Sequence, residues 1–519
     1  MSKPPRTLLV GLDGATWDLL DPVMRSGALP HLRRFTEASA RARLRSVDPP
    51  VTIPAWYCAV TGRSPATLDA WGFTAPAERS GKMEWVSTYR PHDALWDVLG
   101  RRGVRVGVVN FPTFPAPPVH GYFVGGMLYP GGRATTHPLS LATRLEQEFG
   151  PWSYDLPGTG RARLPLALRT LEQKARLVET LEKESRSDLL FVLLCETDRV
   201  QHDLYEDLLR ALRRPDPEVA AYWTALDTTF QRIVEAFHRG RPGEGLTVVL
   251  SDHGFGTQTG EFYTNRFLQR SGFLQVLPSA PSETGPRLRD LLASLDRIVP
   301  LRRLLRARSE GPSDTAAKAK GGAEESPKPT VSEGGEDGGP GDRTFGWYSQ
   351  FIDWERTRAV SFPIPEGIYA VHRLGHDLSP EERATLKEDL RRAFGSLRYP
   401  RITLVDPEVA YGREPGPHAP LLLLYAEEHA WETHGHFNHH RTYLAHRPSY
   451  FGRQGTHRPE GILAVGGRGV TPGALKEAVP LLSLTPTLLV AWGLPALTNL
   501  DAPADPQLLR AMGGAPPSP

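Results

Sequence analysis

Bulky apolar residues fall along this chain in short runs, separated by stretches with helical spacing. Residues 7–11, 104–109, 189–195 and 246–250 are nearly continuous apolar runs. That pattern predicts strands buried on both faces. Between them, residues 17–26, 31–39, 91–102, 171–185 and 216–239 place apolar side chains at three- and four-residue intervals, which predicts helices. Gly103 closes the third of these. Towards the end, 461–465 reads as a strand and 485–492 as a helix. Strands alternating with helices predict an α/β fold, a mostly parallel central sheet flanked by helices.

The pattern changes in the middle of the chain. Residues 309–342 contain one bulky apolar side chain, Val331, among Gly, Pro, Ser, Glu and Lys. Such a segment buries too little to offset its chain entropy, so a disordered insert is expected. Residues 345–430 read as a smaller α+β region. Ser379-Pro380-Glu381-Glu382 is a capping box opening a helix, and 402–405 and 421–425 read as strands. With no obvious catalytic group, this region is expected to form a cap over a site elsewhere. The core then comprises residues 1–300 and 431–505, 431–450 reads as a polar loop, and 506–519 reads as a flexible tail.

Composition narrows the class. The chain has 519 residues, 39% hydrophobic and 23% charged, with a net charge of +2. This is ordinary for a globular protein, and no global field favours nucleic acid or anionic membrane. Two cysteines, Cys58 and Cys195, are too few for a disulfide framework and fit no zinc-finger spacing. Neither a signal peptide nor an apolar run of spanning length is visible, so a cytoplasmic protein is expected. No Ser-His-Asp order, cysteine nucleophile motif or nucleic-acid module occurs. Leu301-Arg302-Arg303-Leu304-Leu305-Arg306 reads as a solvated basic helix face, and Gly466-Gly467-Arg468-Gly469 lacks the Gly-Lys-Ser/Thr of a phosphate loop.

Candidate chemistry collects at the ends of the predicted strands. Asp13, Asp198 and Asp252 each follow closely on the last apolar residue of a run, where ligands gather in sheets of this kind. Alone, Asp13 in Gly11-Leu12-Asp13-Gly14 is a turn former. Asp198 and His202, four apart, share one face of a helix. Asp252-His253, followed by glycines in Ser251-Asp252-His253-Gly254, suits close approach of backbone to a metal. Thr52, in Thr52-Ile53-Pro54-Ala55-Trp56, reads as a helix N-cap whose hydroxyl is also placed to act as a nucleophile near exposed amides. His434, His436, His439, His440 and His446 form a dense cluster. Their spacing matches no closed tetrahedral site, so they read as a loop at the site's rim. His457, in Gly455-Thr456-His457-Arg458-Pro459, precedes the late strand.

These motifs, in this order, resemble the alkaline phosphatase superfamily in its type I phosphodiesterase/nucleotide pyrophosphatase branch. The resemblance covers most of the chain and implies an alkaline-phosphatase-like sandwich. It also implies two divalent ions, zinc by preference. One would take Asp13, Thr52, Asp252 and His253, the other Asp198, His202 and His457. Thr52 would attack phosphorus to give a phospho-threonine intermediate, and the partner would be a small phosphoester, diesters being favoured. Other chemistries of the superfamily stay open: phosphomonoester or phosphonate hydrolysis, phosphoryl transfer, or metal-retaining binding without turnover. Where many relatives carry a His-Gly pair after the nucleophile segment, this chain has Leu68-Asp69. Asn110 is the candidate to support a phosphate oxygen in place of the family's asparagine.

Overall fold

A computed structural model describes residues 5–76, 83–85, 93–113, 115–126, 135–150, 156, 158–240, 244–280, 350–361, 366–371, 378–435, 439, 441–445, 452–494 and 500–514. The predicted insert at 309–342, the basic segment at 301–306, His436, His440, His446 and residues 515–519 lie outside these.

The centre is a ten-stranded, mostly parallel sheet. Its main strands lie side by side in the order Ala40–Arg45, Glu460–Gly467, Leu246–Leu250, Thr7–Leu12, Leu189–Leu194, Val106–Phe111 and Gly121–Gly125. Glu460–Gly467 runs antiparallel to both neighbours, and the pairs around Thr7–Leu12 are parallel. Every residue of Thr7–Leu12, Leu189–Leu194 and Leu246–Leu250 is buried, because alternate side chains enter two different cores. Leu8, Val10, Leu190, Val192 and Val249 pack under helices Trp17–Arg25, Pro30–Glu37, Arg163–Glu184, Glu196–Ala211 and Pro217–His238. Leu9, Phe191, Leu193, Val248 and Leu250 pack under Thr52–Thr61, Leu95–Gly100, Leu484–Ala491 and Pro506–Ala511. A side chain at Gly11 would put a Cβ 2.6 Å from the Trp56 ring. Glycine there lets the Thr52–Thr61 helix lie directly on the sheet.

A third core surrounds the four-stranded sheet Ala359–Ser361, Gly367–Ala370, Leu422–Ala426 and Ile402–Val405. Helix Pro380–Gly395 covers one face, opened by the reciprocal Ser379–Glu382 capping box. From the other face Leu423 and Tyr425 pack against Ala66 and Trp71, just beyond the Thr52 helix.

Two expectations change. Residues 431–450 contain buried structure rather than only a polar loop. Trp431–His434 pairs in parallel with Gly260–Tyr263, and Tyr443–Leu444 pairs on its other edge. His434 and His439 are buried there: the His439 ring stacks on Tyr263 at 4.0 Å, and His434 Nε2 lies 3.8 Å from Glu261 Oε2. Histidine counts as polar in a sequence, yet a carboxylate and a tyrosine ring make it a core residue. The expected tail also begins later, because Asp505 caps helix Pro506–Ala511 and Leu508 and Leu509 are fully buried. Among the described residues no helix is long and apolar enough to cross a membrane.

Candidate metal centre

The strand ends bring the candidate residues together, and backbone clips set their aim. Asp13 follows Thr7–Leu12, and its amide donates to the Leu194 carbonyl at 3.1 Å. Gly14 adopts φ +63° and donates its N–H to Asp252 Oδ1 at 3.1 Å. A Cβ there would meet the Phe255 ring at 2.8 Å, so both conformation and space require glycine. The Ser251 hydroxyl donates to the Ala15 carbonyl and accepts from the Ile462 amide, tying the Asp252 turn to two neighbours. Thr197 Oγ1 and Gln201 Nε2 donate to the carbonyls of Asp13 and Gly14, fixing helix Glu196–Ala211 against the first turn. Asp198 and His202 project from that helix one turn apart. His457 arrives on strand Gly455–Arg458, antiparallel to Gly254–Thr257. The Gln454 amide clips its approach to the His202 carbonyl at 2.7 Å.

Two groups of metal-ligating side chains result: Asp13, Asp252 and His253, and Asp198, His253 and His457. His253 Nε2 lies 3.3 Å from Asp252 Oδ2 and 3.7 Å from Asp13 Oδ1. His457 Nε2 lies 3.4 Å from Asp198 Oδ1 and 3.1 Å from His202 Nε2, which is 3.6 Å from the same carboxylate oxygen. Tetrahedral ligands about 2.0–2.1 Å from a zinc ion lie about 3.4 Å apart, so these spacings suit a shared cation. The His253 and His457 rings stack at 3.8 Å, so the two groups adjoin.

Tautomers agree with this. His253 Nδ1 faces the Gly254 carbonyl at 3.1 Å, and His457 Nδ1 faces the Pro50 carbonyl at 3.0 Å. A carbonyl only accepts, so each Nδ1 carries the proton and each Nε2 is left as a lone pair. Asp13 Oδ1, Asp252 Oδ2, Asp198 Oδ1 and His253 Nε2 are all buried without a hydrogen-bond partner. Four such atoms facing one another fit a divalent cation and fit little else.

The electrostatics point the same way. Burial, then the Asp198 charge, pushes the Asp13 carboxyl up to about 8. Burial and Asp13 push Asp252 well above the usual carboxylate range. Burial works against the charge on Asp198 too, but His202 and His457 hold it well below its ordinary value. Burial, with His457 beside it, drives His253 down to about 3, and burial also drives His202 well down. Burial works against the charged form of His457 too, but the Asp198 carboxylate 3.4 Å away outweighs it and raises the imidazole above its ordinary value.

Thr52 is the first residue of its helix, with Val51 at the N-cap position, so the expected cap moves by one residue. It is buried, and the amides of Thr52 and Ile53 have no intrahelical acceptor. Its segment is fastened to both groups. Two residues earlier the Pro50 carbonyl accepts from His457, and one turn later Trp56 Nε1 donates to Asp13 Oδ2 at 3.0 Å. Asn110 does not join them. It is fully buried with φ +68°, and its amide donates to the Leu193 carbonyl and to Cys195 Sγ. Both amide hydrogens are engaged, which leaves no side-chain donor for a substrate oxygen. Asp69 binds His418, whose backbone N–H donates to it at 3.1 Å and whose Nδ1 lies 2.5 Å away, joining the segment after the Thr52 helix to the smaller sheet. Both cysteines are buried free thiols.

Sequence reasoning missed three contributors. Trp56 orients Asp13, and its i+4 spacing from Thr52 was the available signal. Phe255 packs edge-on against His202 and His457 at 4.8 and 5.2 Å, an apolar wall behind the imidazoles. Glu366, beside the smaller sheet, feels the charges of His457 and Asp48, and burial pushes its carboxyl up to about 7.

The Type I phosphodiesterase / nucleotide pyrophosphatase family model matches residues 7–320. No curated protein matches the chain. Among solved structures, an inactive variant of murine ectonucleotide pyrophosphatase/phosphodiesterase 5 in complex with AMP superposes with a TM-score of 0.51 at 13% identity, covering 98% of this chain and 99% of that one. Phosphonoacetate hydrolase from Sinorhizobium meliloti 1021, in complex with phosphonoformate, gives 0.52 at 15% identity over 93% and 94%. At these identities the likeness is one of fold.

Proposed function

The chain belongs to the type I phosphodiesterase/nucleotide pyrophosphatase family, and from that premise we propose that it is a two-metal phosphodiester hydrolase with Thr52 as nucleophile. The observation that carries the reading is the set of buried, unpartnered donor atoms facing one another at ligand spacing. In this reading Asp13, Asp252 and His253 hold one ion beside Thr52, and Asp198, His202 and His457 hold the other. Carboxylate oxygens with imidazole nitrogens are a donor set that zinc accepts, and two such ions supply positive charge for the attacking and leaving oxygens.

The chain's own residues position the reaction. Trp56 and Pro50 fasten the Thr52 helix to Asp13 and His457, which fixes the hydroxyl relative to both groups. The free amides at the helix start face a phosphate oxygen, where the helix dipole favours negative charge. Thr52 Oγ1 bonds to phosphorus as the bond to the departing alcohol breaks, giving a phospho-threonine. Water then attacks the same phosphorus, and Thr52 leaves as a free hydroxyl.

The test is a panel of a nitrophenyl monoester, bis(nitrophenyl) phosphate and a nitrophenyl phosphonate, run with metal analysis. Fastest turnover of the diester is the expected result. Replacing Thr52 (Thr52→Ala) lowers turnover by on the order of 10^4-fold while bound metal is retained. Near-native turnover in that variant removes the threonine from the mechanism. Two bound ions with no turnover of any ester would leave a binding protein instead.

A further inference from the structure

The smaller sheet brings Glu366 and His429 within electrostatic reach of His457, and Tyr425 against Asp48. Among the described residues neither the Glu366 carboxylate nor the His429 ring nitrogens make a hydrogen bond. Glu366 precedes strand Gly367–Ala370, with its carbonyl held by the Leu424 amide. Its Oε2 is buried without a hydrogen bond, and its carboxylate lies within electrostatic reach of His457, Asp48 and Tyr425. His429 comes from the turn after Leu422–Ala426. Glu427, Glu428 and His429 have φ of 49°, 54° and 67°, three consecutive non-glycine residues in left-handed conformation. Each costs about 1–2 kcal/mol relative to ordinary helical backbone, and such turns persist where the surroundings hold them. Here Arg458, next to His457, donates to the His429 carbonyl, and the His429 ring lies on Tyr425 at 4.0 Å. Among the described residues no hydrogen bond engages the His429 ring nitrogens. Tyr425 in turn donates to Asp48 Oδ1 at 3.2 Å, two residues before the carbonyl that orients His457.

A buried carboxylate oxygen is normally paired, and an unpaired one is costly. Arg458, which holds the His429 turn, is itself engaged with the carbonyls of Thr257, His429 and His457. Among the described residues, His457 is the one cation that acts on the Glu366 carboxylate, and its Nε2 faces Asp198. We propose that Glu366 and His429 form the subsite for the substrate's alcohol group, and that this group is a small alcohol bearing a cation, of the 2-aminoethyl kind. The ammonium pairs with Glu366, and the alcohol chain lies along His429 and Tyr425. This rests on the hydrolase reading, whose own test is turnover of bis(nitrophenyl) phosphate.

Two uncharged-versus-cationic probes of equal size decide it: methyl 2-aminoethyl phosphate and methyl propyl phosphate, each measured as a competitor of bis(nitrophenyl) phosphate. With the metal-loaded native chain, the amine diester competes about tenfold more strongly, the discrimination expected of one desolvated charged hydrogen bond. Glu366→Gln brings the two inhibition constants together, and Glu366→Asp retains part of the preference. Equal constants in the native chain, or a preference unchanged in Glu366→Gln, overturns the subsite. If the native chain turns over no nitrophenyl ester, the hydrolase reading falls by itself. The same two probes are then compared by calorimetry, where equal affinities overturn the subsite and a cation preference lost in Glu366→Gln upholds it.

Discussion

Asp13, Asp252 and His253 lie side by side with Asp198, His202 and His457, yet the two sets manage charge in opposite ways. The first has two carboxylates and one imidazole, all fully buried on turns that follow strands. The second has one carboxylate and two imidazoles, with the His202 and His457 side chains 12% and 16% exposed on a helix and a short strand. In the first, burial, reinforced by the neighbouring carboxylate charges, raises both carboxyls. In the second, burial again opposes the charge, but the adjacent His202 and His457 outweigh it and hold the carboxylate well below its ordinary value. On the two-metal proposal, an ion would displace protons from carboxyls at the first position and break an Asp–His pairing at the second.

The largest test of this contrast is a reversal of sign. In the metal-free protein at pH 8, Asp252→Asn removes a crowded carboxylate and should raise stability by about 1–3 kcal/mol. In the metal-loaded protein the same change removes a ligand and should lower stability by about 4 kcal/mol, with bound metal falling to one ion. Asp198→Asn should destabilise both forms, because its partner His457 loses a charge with or without metal. Chelator and zinc titrations followed by denaturant melts measure all four values. If the two variants behave alike in the metal-free chain, the contrast is wrong.

An intermediate effect concerns pH. Asp13 has a folded value of about 8 and an unfolded one near 3.8, so the folded state binds the extra proton between them. Its contribution is fully present below the unfolded value and is lost as pH rises through about 8. Metal-free protein should therefore melt progressively earlier from pH 5 to pH 8, and metal-loaded protein should lack that slope. The smallest effect concerns orientation. Trp56→Phe removes the donor to Asp13 Oδ2, together with the outer indole ring that lies on Gly11, and should weaken metal affinity about tenfold. A tenfold loss read instead at His457 Nδ1, by NMR titration, would place the coupling on the wrong set.

Much of this was legible in the sequence, because continuous apolar strands and the acids that end them follow directly from a sheet buried on both sides. The residue-level pairing Asp198/His202 was legible from helical spacing. Other parts depend on contacts between distant segments. Nothing local marks Glu427-Glu428-His429 as a left-handed turn, since no glycine or asparagine stands there; Arg458 holds it from afar. His434 and His439 looked solvated because Glu261 and Tyr263, which they pack against, lie far back in the chain. Asn110 looked available because its acceptors lie far along the chain, at Leu193 in a neighbouring strand and Cys195 just after it.

One ring has the last consequence. His253 belongs to both groups, stacked on His457 and 3.3 Å from Asp252. On the two-metal proposal, it could not tilt toward one cation without altering the cradle of the other. Loading of the pair should therefore be linked rather than independent, and a singly filled chain would be a scarce species under limiting zinc.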